Sequence, residues 1–150
     1  MPIVLRAATA ADAAALLPRI RALNAQEGIA IGAAELAAAL DRLLGDRSLG
    51  GAWLITEAER AIGYAIVTFG YDLEFGGRDA YLTELWIDPD ERGRGAATTA
   101  LAQLDDALRR LDVRALHLQV RADNPARRLY ERTGFVASPR IVMTRRLDGS

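Results

Sequence analysis

The chain has 150 residues, 51% of them hydrophobic and 26% charged, with a formal net charge of −1. That length fits one domain over residues 1–150 with a core of its own, and the near-neutral balance argues against a general polyanion binder, so no nucleic-acid partner is expected. The absence of cysteine excludes a disulfide scaffold, a thiolate zinc site and a cysteine nucleophile, and a lone histidine, His117, excludes a multi-histidine metal centre, so no metal is expected.

Ile3–Arg6 reads as a short strand, and Thr9-x-x-Asp12 resembles a capping box that opens a helix running to about Asn24, bent or interrupted at Pro18. Ala33–Leu44 reads as a second helix, with Leu36, Leu40 and Leu43 on one stripe and Gly45 as its stop. Ala52–Thr56 and Ala61–Tyr71 are two strands joined by a short polar turn, and Gly76-Gly77 marks the next turn. Ala80–Ile87 follows as a strand whose strict alternation sets Tyr81, Thr83, Leu85 and Ile87 on one face and Leu82, Glu84 and Trp86 on the other.

A glycine-rich stretch, Arg92–Ala97, leads into a helix to about Leu111, with Ala97, Leu101, Leu104, Leu108 and Leu111 as its apolar stripe. Arg114–Val120 is another strand, Asn124-Pro125 opens a helix that Gly134 closes, and Ile141–Leu147 is the last strand. The order β-α-α-β-β-β-α-β-α-β predicts an α/β fold around a mostly antiparallel sheet. No apolar run approaches the ~20 residues a bilayer span needs, and the start of the chain does not look like a targeting segment. A cytoplasmic protein without a membrane partner is expected.

All 19 basic residues are arginine, so a catalytic Schiff base and a phosphate-loop lysine have no residue to work through. The turn Arg92-Gly93-Arg94-Gly95-Ala96-Ala97 precedes a helix whose first amides lack internal partners and carry the positive end of the helix dipole, a combination suited to a diphosphate. Arg92 and Arg94 are placed to add charge-assisted bonds. A dinucleotide fingerprint is broken at Thr98, whereas the acyl-CoA loop pattern Q/R-x-x-G-x-G/A is met by Arg92, Gly95 and Ala97. The competing reading is an ordinary glycine turn before a helix.

The segment Asn124-Pro-Ala-Arg-Arg-Leu-Tyr130-Glu-Arg-Thr-Gly134-Phe135, downstream of that loop, resembles the Gcn5-related N-acetyltransferase family, which pairs a diphosphate loop with an N-x-x-A-x-x-L-Y-x-x-x-G-F element. The two motifs cover roughly residues 80–136. The family's asparagine usually lies seven residues before the tyrosine; Asp123 holds that place here, and Asn124 is one residue closer. The resemblance implies the family fold, a mostly antiparallel mixed sheet with a splayed pair of central strands. It also implies direct transfer of an acetyl group from acetyl-CoA to an amine. The pantetheine arm would pair with backbone near Leu85, Trp86 and Ile87, and the diphosphate would rest on Gly93, Arg94, Gly95, Ala96, Ala97 and Thr98, with Arg92 and Asn124 beside them. Tyr130 would meet CoA and protonate its departing thiolate. Family members are often dimers through terminal strands or helices, so a homodimer is compatible with the chain, although no residue demands it.

The acceptor amine must shed a proton, because an alkyl ammonium is not nucleophilic. Glu84, an acid amid apolar strand residues, is the candidate base; an ion-paired structural acid is the other reading. Gln119 stands where relatives that modify protein N-termini often carry a glutamate, and an amide cannot take a proton, which shifts weight to Glu84. His117 shares that strand face, and a lone strand histidine is more often structural. Residues 72–91 hold seven acids against Arg78 alone, read either as a solvated face or as an acidic acceptor side. The run Tyr71-Asp-Leu-Glu-Phe-Gly-Gly, then Leu82-Thr-Glu-Leu-Trp-Ile87, resembles a branch of the family that includes small-molecule acetyltransferases, which implies a small cationic amine such as a polyamine or an amino acid. A protein or peptide N-terminus is the alternative acceptor, and a non-catalytic acetyl-CoA sensor the alternative role.

Overall fold

Alternating apolar residues from five strands build one sheet in the order β1-β2-β3-β4-β5. The computed structural model describes residues 2–149. In chain order its elements are β1 (Ile3–Ala7), a 3-10 turn (Ala10–Asp12), α1 (Ala13–Glu27), α2 (Ala33–Gly45), β2 (Gly50–Glu57), β3 (Arg60–Asp72), β4 (Gly77–Ile87), a second 3-10 turn (Pro89–Glu91), α3 (Ala96–Arg110), β5 (Ala115–Leu118) and α4 (Ala126–Arg132). Pairing is antiparallel from β1 to β4, and β4 pairs β5 in parallel, as a mixed, mostly antiparallel sheet requires. Residues up to Gln119 form one compact unit and those from Val120 a second.

In the first unit, both faces of the sheet are covered. Leu16 and Ile20 of α1 and Leu40 of α2 pack on Ala52, Leu54, Tyr64, Ile66 and Trp86. Ala96 and Ala100 of α3 pack on Ile55, Ile62 and Ile87 on the other face. The helix α1 runs through Pro18 as one element, and Arg19 Nη1 donates to the Ala15 carbonyl at 2.8 Å in the turn where proline removes a backbone donor. Thr9 N–H donates to Asp12 Oδ2 at 2.8 Å, the return half of the capping box read from the sequence.

The strand β4 does not alternate strictly. Its register against β3 shifts so that Ile66 faces Glu84 while the next residue, Val67, faces Leu82, leaving Thr83 as an extra residue. Its hydroxyl donates to the Ile66 carbonyl at 3.2 Å. Adjacent residues of β3 point to opposite faces, so Leu82 and Glu84 do too. The single face expected for Leu82, Glu84 and Trp86 is thereby corrected: Glu84 and Trp86 lie on the α1–α2 side with Ile66 and Tyr64, and Leu82 lies on the α3 side with Val67. Asp79 and Tyr81, opposite Gly70 and Thr68, join Glu84 on its face.

The end of β4 is fixed by Asp88. Its carboxylate accepts from Arg19 Nε at 2.9 Å, from Arg19 Nη2 at 2.8 Å and from Trp86 Nε1 at 3.2 Å. Arg19 Nη2 also donates to the Ala61 carbonyl at 3.0 Å, so one guanidinium joins α1, β3 and the end of β4.

In the second unit, Asn124 Oδ1 accepts the Ala126 N–H at 2.9 Å, so Asn124 caps α4, whereas Asp123 pairs with Arg121. Gly134 takes φ 102°, a left-handed turn that lets the Phe135 N–H reach back to the Tyr130 carbonyl at 3.0 Å and brings the two rings edge to face at 5.7 Å. The expected strand Ile141–Leu147 does not form: the described residues after Gly134 belong to no helix or strand. Its apolar spacing suits a strand, but a strand exists only as one side of a ladder.

Replacing Asp88 by alanine removes three charge-assisted bonds at a half-buried hub. Urea denaturation is expected to show a loss of about 2 kcal/mol, with the slope unchanged. A loss under about 0.5 kcal/mol would show that the hub does not hold the strand end.

Candidate active site

The ladder between β4 and β5 runs from Asp79–Ala115 to Leu82–Leu118 and stops, while β4 continues to Ile87. The two strands therefore part at the Thr83 bulge. Beyond it, Glu84–Ile87 keep their β3 partners on one side and have no β5 partner on the other. A strand edge of this kind offers unpaired amide and carbonyl groups to an extended ligand. Leu85, Trp86 and Ile87, the residues expected to meet a pantetheine arm, lie on it.

Past Asp88 the chain makes the second 3-10 turn and enters α3 through two left-handed glycines, Gly93 at φ 79° and Gly95 at φ 80°. A Cβ at either position would meet no atom within 4 Å, so the loop is open on that side. Thr99 N–H donates to the Gly95 carbonyl at 3.1 Å, the first bond of the helix. The amides of Ala96, Ala97 and Thr98 have no intrahelical acceptor, and the first turn of α3 carries no acidic residue. These features fit a diphosphate: unpartnered donors, the positive end of a 15-residue helix, and no carboxylate in its first turn.

Both loop arginines have protein partners. Arg92 Nε donates to the Ile87 carbonyl at 2.8 Å, and its guanidinium lies 4.6 Å over the Trp86 ring. Arg94 bridges Glu57 through two bonds of 3.1 Å and also pairs with Glu91, and Arg60 pairs with Glu91 at 2.9 Å. Glu57 and Arg60 flank the two-residue β2–β3 turn, where Ala58 and Glu59 take positive φ. The side chain between the two left-handed glycines is thus tied to a hairpin. Nothing in the local sequence signals this, because Glu57 lies 37 residues upstream.

Glu84 sits half-buried on the α1–α2 face. The Tyr64 hydroxyl donates to its Oε1 at 2.7 Å, and among the described residues Glu84 belongs to no ion pair. Burial pushes its carboxyl above the ordinary carboxylate range, and the Tyr64 bond pulls the other way. Burial, reinforced by the Glu84 charge, holds the Tyr64 phenol well above its ordinary value, so it stays a donor. A half-buried carboxylate with raised basicity and no cation beside it is a better proton acceptor than a solvated one.

The acidic run 72–91 is less free than its sequence suggests. Asp79 meets His117 Nε2 at 3.1 Å, Asp88 holds Arg19, and Glu91 holds Arg60 and Arg94. The His117 ring also contacts the rings of Phe75 and Tyr81, at 5.2 Å and 4.9 Å. Among the described residues no helix is long and apolar enough to cross a membrane.

Residues 19–135 match the profile of the acetyltransferase (GNAT) family. Over 71 residues, 47% of this chain and 45% of the relative, the sequence is 41% identical to the uncharacterized N-acetyltransferase YycN of Bacillus subtilis (strain 168). The match therefore spans under half the length of that relative. Among solved structures, the integron cassette protein HFX_CASS3, from the mobile metagenome of Cole Harbour Salt Marsh, is 29% identical and superposes with a TM-score of 0.84 over 95% of this chain and 90% of its own. A predicted acetyltransferase from Clostridium acetobutylicum, solved with acetyl-CoA, shares the fold at a TM-score of 0.79 and 22% identity over 96% of each chain.

The raised Glu84 carboxyl has a consequence for stability. A group of this kind favours folding below its unfolded pKa, and that contribution is lost as pH rises through the folded value. Above that window its ionised form carries a cost that Glu84→Gln does not. The variant is expected to match or exceed the parent in urea denaturation at pH 8, with the advantage shrinking toward pH 5. A variant less stable at pH 8 would refute this.

Proposed function

The chain belongs to the acetyltransferase (GNAT) family, and from that premise we propose that it moves the acetyl group of acetyl-CoA directly to a primary amine of a small cationic molecule, a polyamine or an amino acid. One observation carries the reading. The free edge of β4 ends beside a loop of unpartnered helix amides, with a basic carboxylate two residues past the point where the strands part.

In this reading the backbone of Leu85–Ile87 binds the pantetheine arm, and the amides from Gly93 to Thr98 hold the diphosphate. Acetyl-CoA supplies the activated acetyl group as its thioester. Glu84 takes a proton from the acceptor ammonium, freeing the nitrogen lone pair. As the nitrogen–carbon bond forms and the carbon–sulfur bond breaks, the Tyr130 hydroxyl gives its proton to the sulfur, and the second proton that the nitrogen sheds in becoming an amide restores the phenol. Asn124, by capping the helix that carries Tyr130, sets that side chain's place.

The absence of a cation beside Glu84 supports a cationic acceptor, since a partly buried carboxylate gains most from a ligand that brings the missing charge. The other acid of its strand, Asp79, is closed on His117, which leaves Glu84 as the acid on the α1–α2 face of β4 for a ligand. Thiol release from acetyl-CoA, measured against polyamines, basic amino acids and a peptide amine terminus, tests the assignment. Turnover is expected with the first two classes. Turnover with the peptide alone would overturn the acceptor, and binding of acetyl-CoA without thiol release for any amine would overturn the enzyme.

Two substitutions test the roles. Gly95→Asp places a charge at the helix start and forces a side chain onto a left-handed backbone, and calorimetric titration is expected to show acetyl-CoA binding abolished. Tyr130→Phe is expected to lower kcat by about a hundredfold while leaving the Kd for acetyl-CoA within about twofold. An unchanged kcat would remove the acid role.

A further inference from the structure

We propose that Tyr64 is the positioning residue of the Glu84 base: its hydroxyl clamps Oε1 of the carboxylate, so that Oε2 is the oxygen offered to the acceptor. The inference rests on the reading of Glu84 as the base and adds a residue of β3 to it.

The geometry comes from the bulge. Tyr64 faces Trp86 and Ile66 faces Glu84 across the β3–β4 ladder, all four on the α1–α2 side. Without the extra residue at Thr83, a β4 strand in register with Leu82 would turn Glu84 to the other side, away from Tyr64. Tyr64 is 0% exposed, enclosed by Leu16, Ile20, Leu54, Ile66 and Trp86. In such a site phenylalanine would fill the same volume without burying a hydroxyl, and a hydroxyl left there without a partner is destabilising. The hydroxyl is satisfied by the 2.7 Å bond to Glu84 Oε1. A carboxylate with one oxygen pinned loses rotameric freedom and presents the other in a fixed direction.

Other charges on this face are accounted for. Arg19 of α1 is closed on Asp88, and Asp79 of β4 on His117 of β5. Arg21 and Glu27 of α1, Glu35, Asp41 and Arg42 of α2 and Arg60 of β3 are exposed. Burial and the tyrosine bond are the two causes acting on the Glu84 carboxyl. In the reaction the proton passes from the acceptor nitrogen to Oε2, and Tyr64 keeps its own.

Tyr64→Phe removes one oxygen and keeps the ring. In the full chain with its glutamate side-chain carboxyls labelled with carbon-13, the Glu84 signal is the one missing from Glu84→Gln. Its titration midpoint is expected to move to higher pH in Tyr64→Phe, and the acid limb of kcat/KM, with the best acceptor from the amine panel, is expected to move with it. The limiting kcat is expected to fall ten- to a hundredfold, with KM for acetyl-CoA unchanged. A midpoint that stays in place, or an unchanged kcat, overturns the clamp.

Glu84→Gln separates the two readings. If it keeps the acid limb and the rate, the base assignment fails; if it loses both while Tyr64→Phe behaves as the parent, the clamp alone fails. Should the phenylalanine variant not fold, 3-fluorotyrosine introduced at position 64, a stronger donor of nearly equal size, is expected to move the midpoint to lower pH, and no movement would overturn the clamp.

Discussion

Two parallel strands that share four rungs and then separate impose the central constraint on this molecule. The pairing of β4 with β5 ends at Leu82, and the extra residue at Thr83 follows at once. A bulge increases local twist and bends its strand, so the same residue that breaks the β3 register also marks where β4 leaves its parallel neighbour. The cost of an unpaired edge is tolerated because β3 continues to hold β4 to its end and Asp88 ties that end to α1. What remains is a stiff strand with one free side. The bulge also sorts the side chains, turning Glu84 toward Tyr64 and leaving Leu82 in the core under α3.

The glycine loop shows how a flexible segment is held without losing its open side. Gly93 and Gly95 supply the left-handed backbone that brings the chain into α3, and a loop built this way has few conformational restraints of its own. Arg92 and Arg94 supply them. One stacks on Trp86 and bonds the Ile87 carbonyl; the other reaches two carboxylates, one of them on the β2–β3 hairpin. Exposed ion pairs contribute little individually to stability. Their value here is positional, because four charged groups from two turns fix the direction in which the first amides of α3 point.

Much of this was legible in the sequence because it depends on short-range pattern. The stripe of α3 through Leu101, Leu104 and Leu108, the capping box at Thr9, the turn at Gly76-Gly77 and the asparagine cap of α4 are each set by residues within a few positions of one another, and the structure has them. Leu111, expected on the same stripe, instead lies just past the end of α3 and is exposed. What escaped depends on distant partners. Strict alternation along β4 misplaces Leu82 relative to Glu84, since a bulge is a property of two strands and Thr83 carries no mark of it. Tyr64 reads as one more apolar strand residue until Glu84, 20 positions on, lies beside it. The arginines of the loop read as phosphate ligands because two of their partners are distant or unmarked in the sequence: Glu57 lies 37 residues from Arg94, and Arg92 stacks on Trp86 and bonds the Ile87 carbonyl. Ile141–Leu147 has the spacing of a strand, and spacing alone supplies no ladder.

Glu84 is where the physical account of the fold and the chemical account of the site meet. A fold selected for stability alone would place an apolar residue opposite Ile66, among Tyr64 and Trp86. The chain instead carries a carboxylate there, half-buried, without a cation, and with a tyrosine hydroxyl as its partner. Each part of that arrangement costs something: the charge loses water, and the hydroxyl must be buried to reach it. The tyrosine bond recovers part of the loss and lowers the basicity that burial raised, so the two effects leave a carboxyl shifted upward yet still able to ionise. An arginine in place of that tyrosine would stabilise the charge more and would depress the basicity that proton transfer needs. A neutral donor is therefore the better compromise for a base: it fixes the carboxylate in direction while leaving its charge to be met by a ligand.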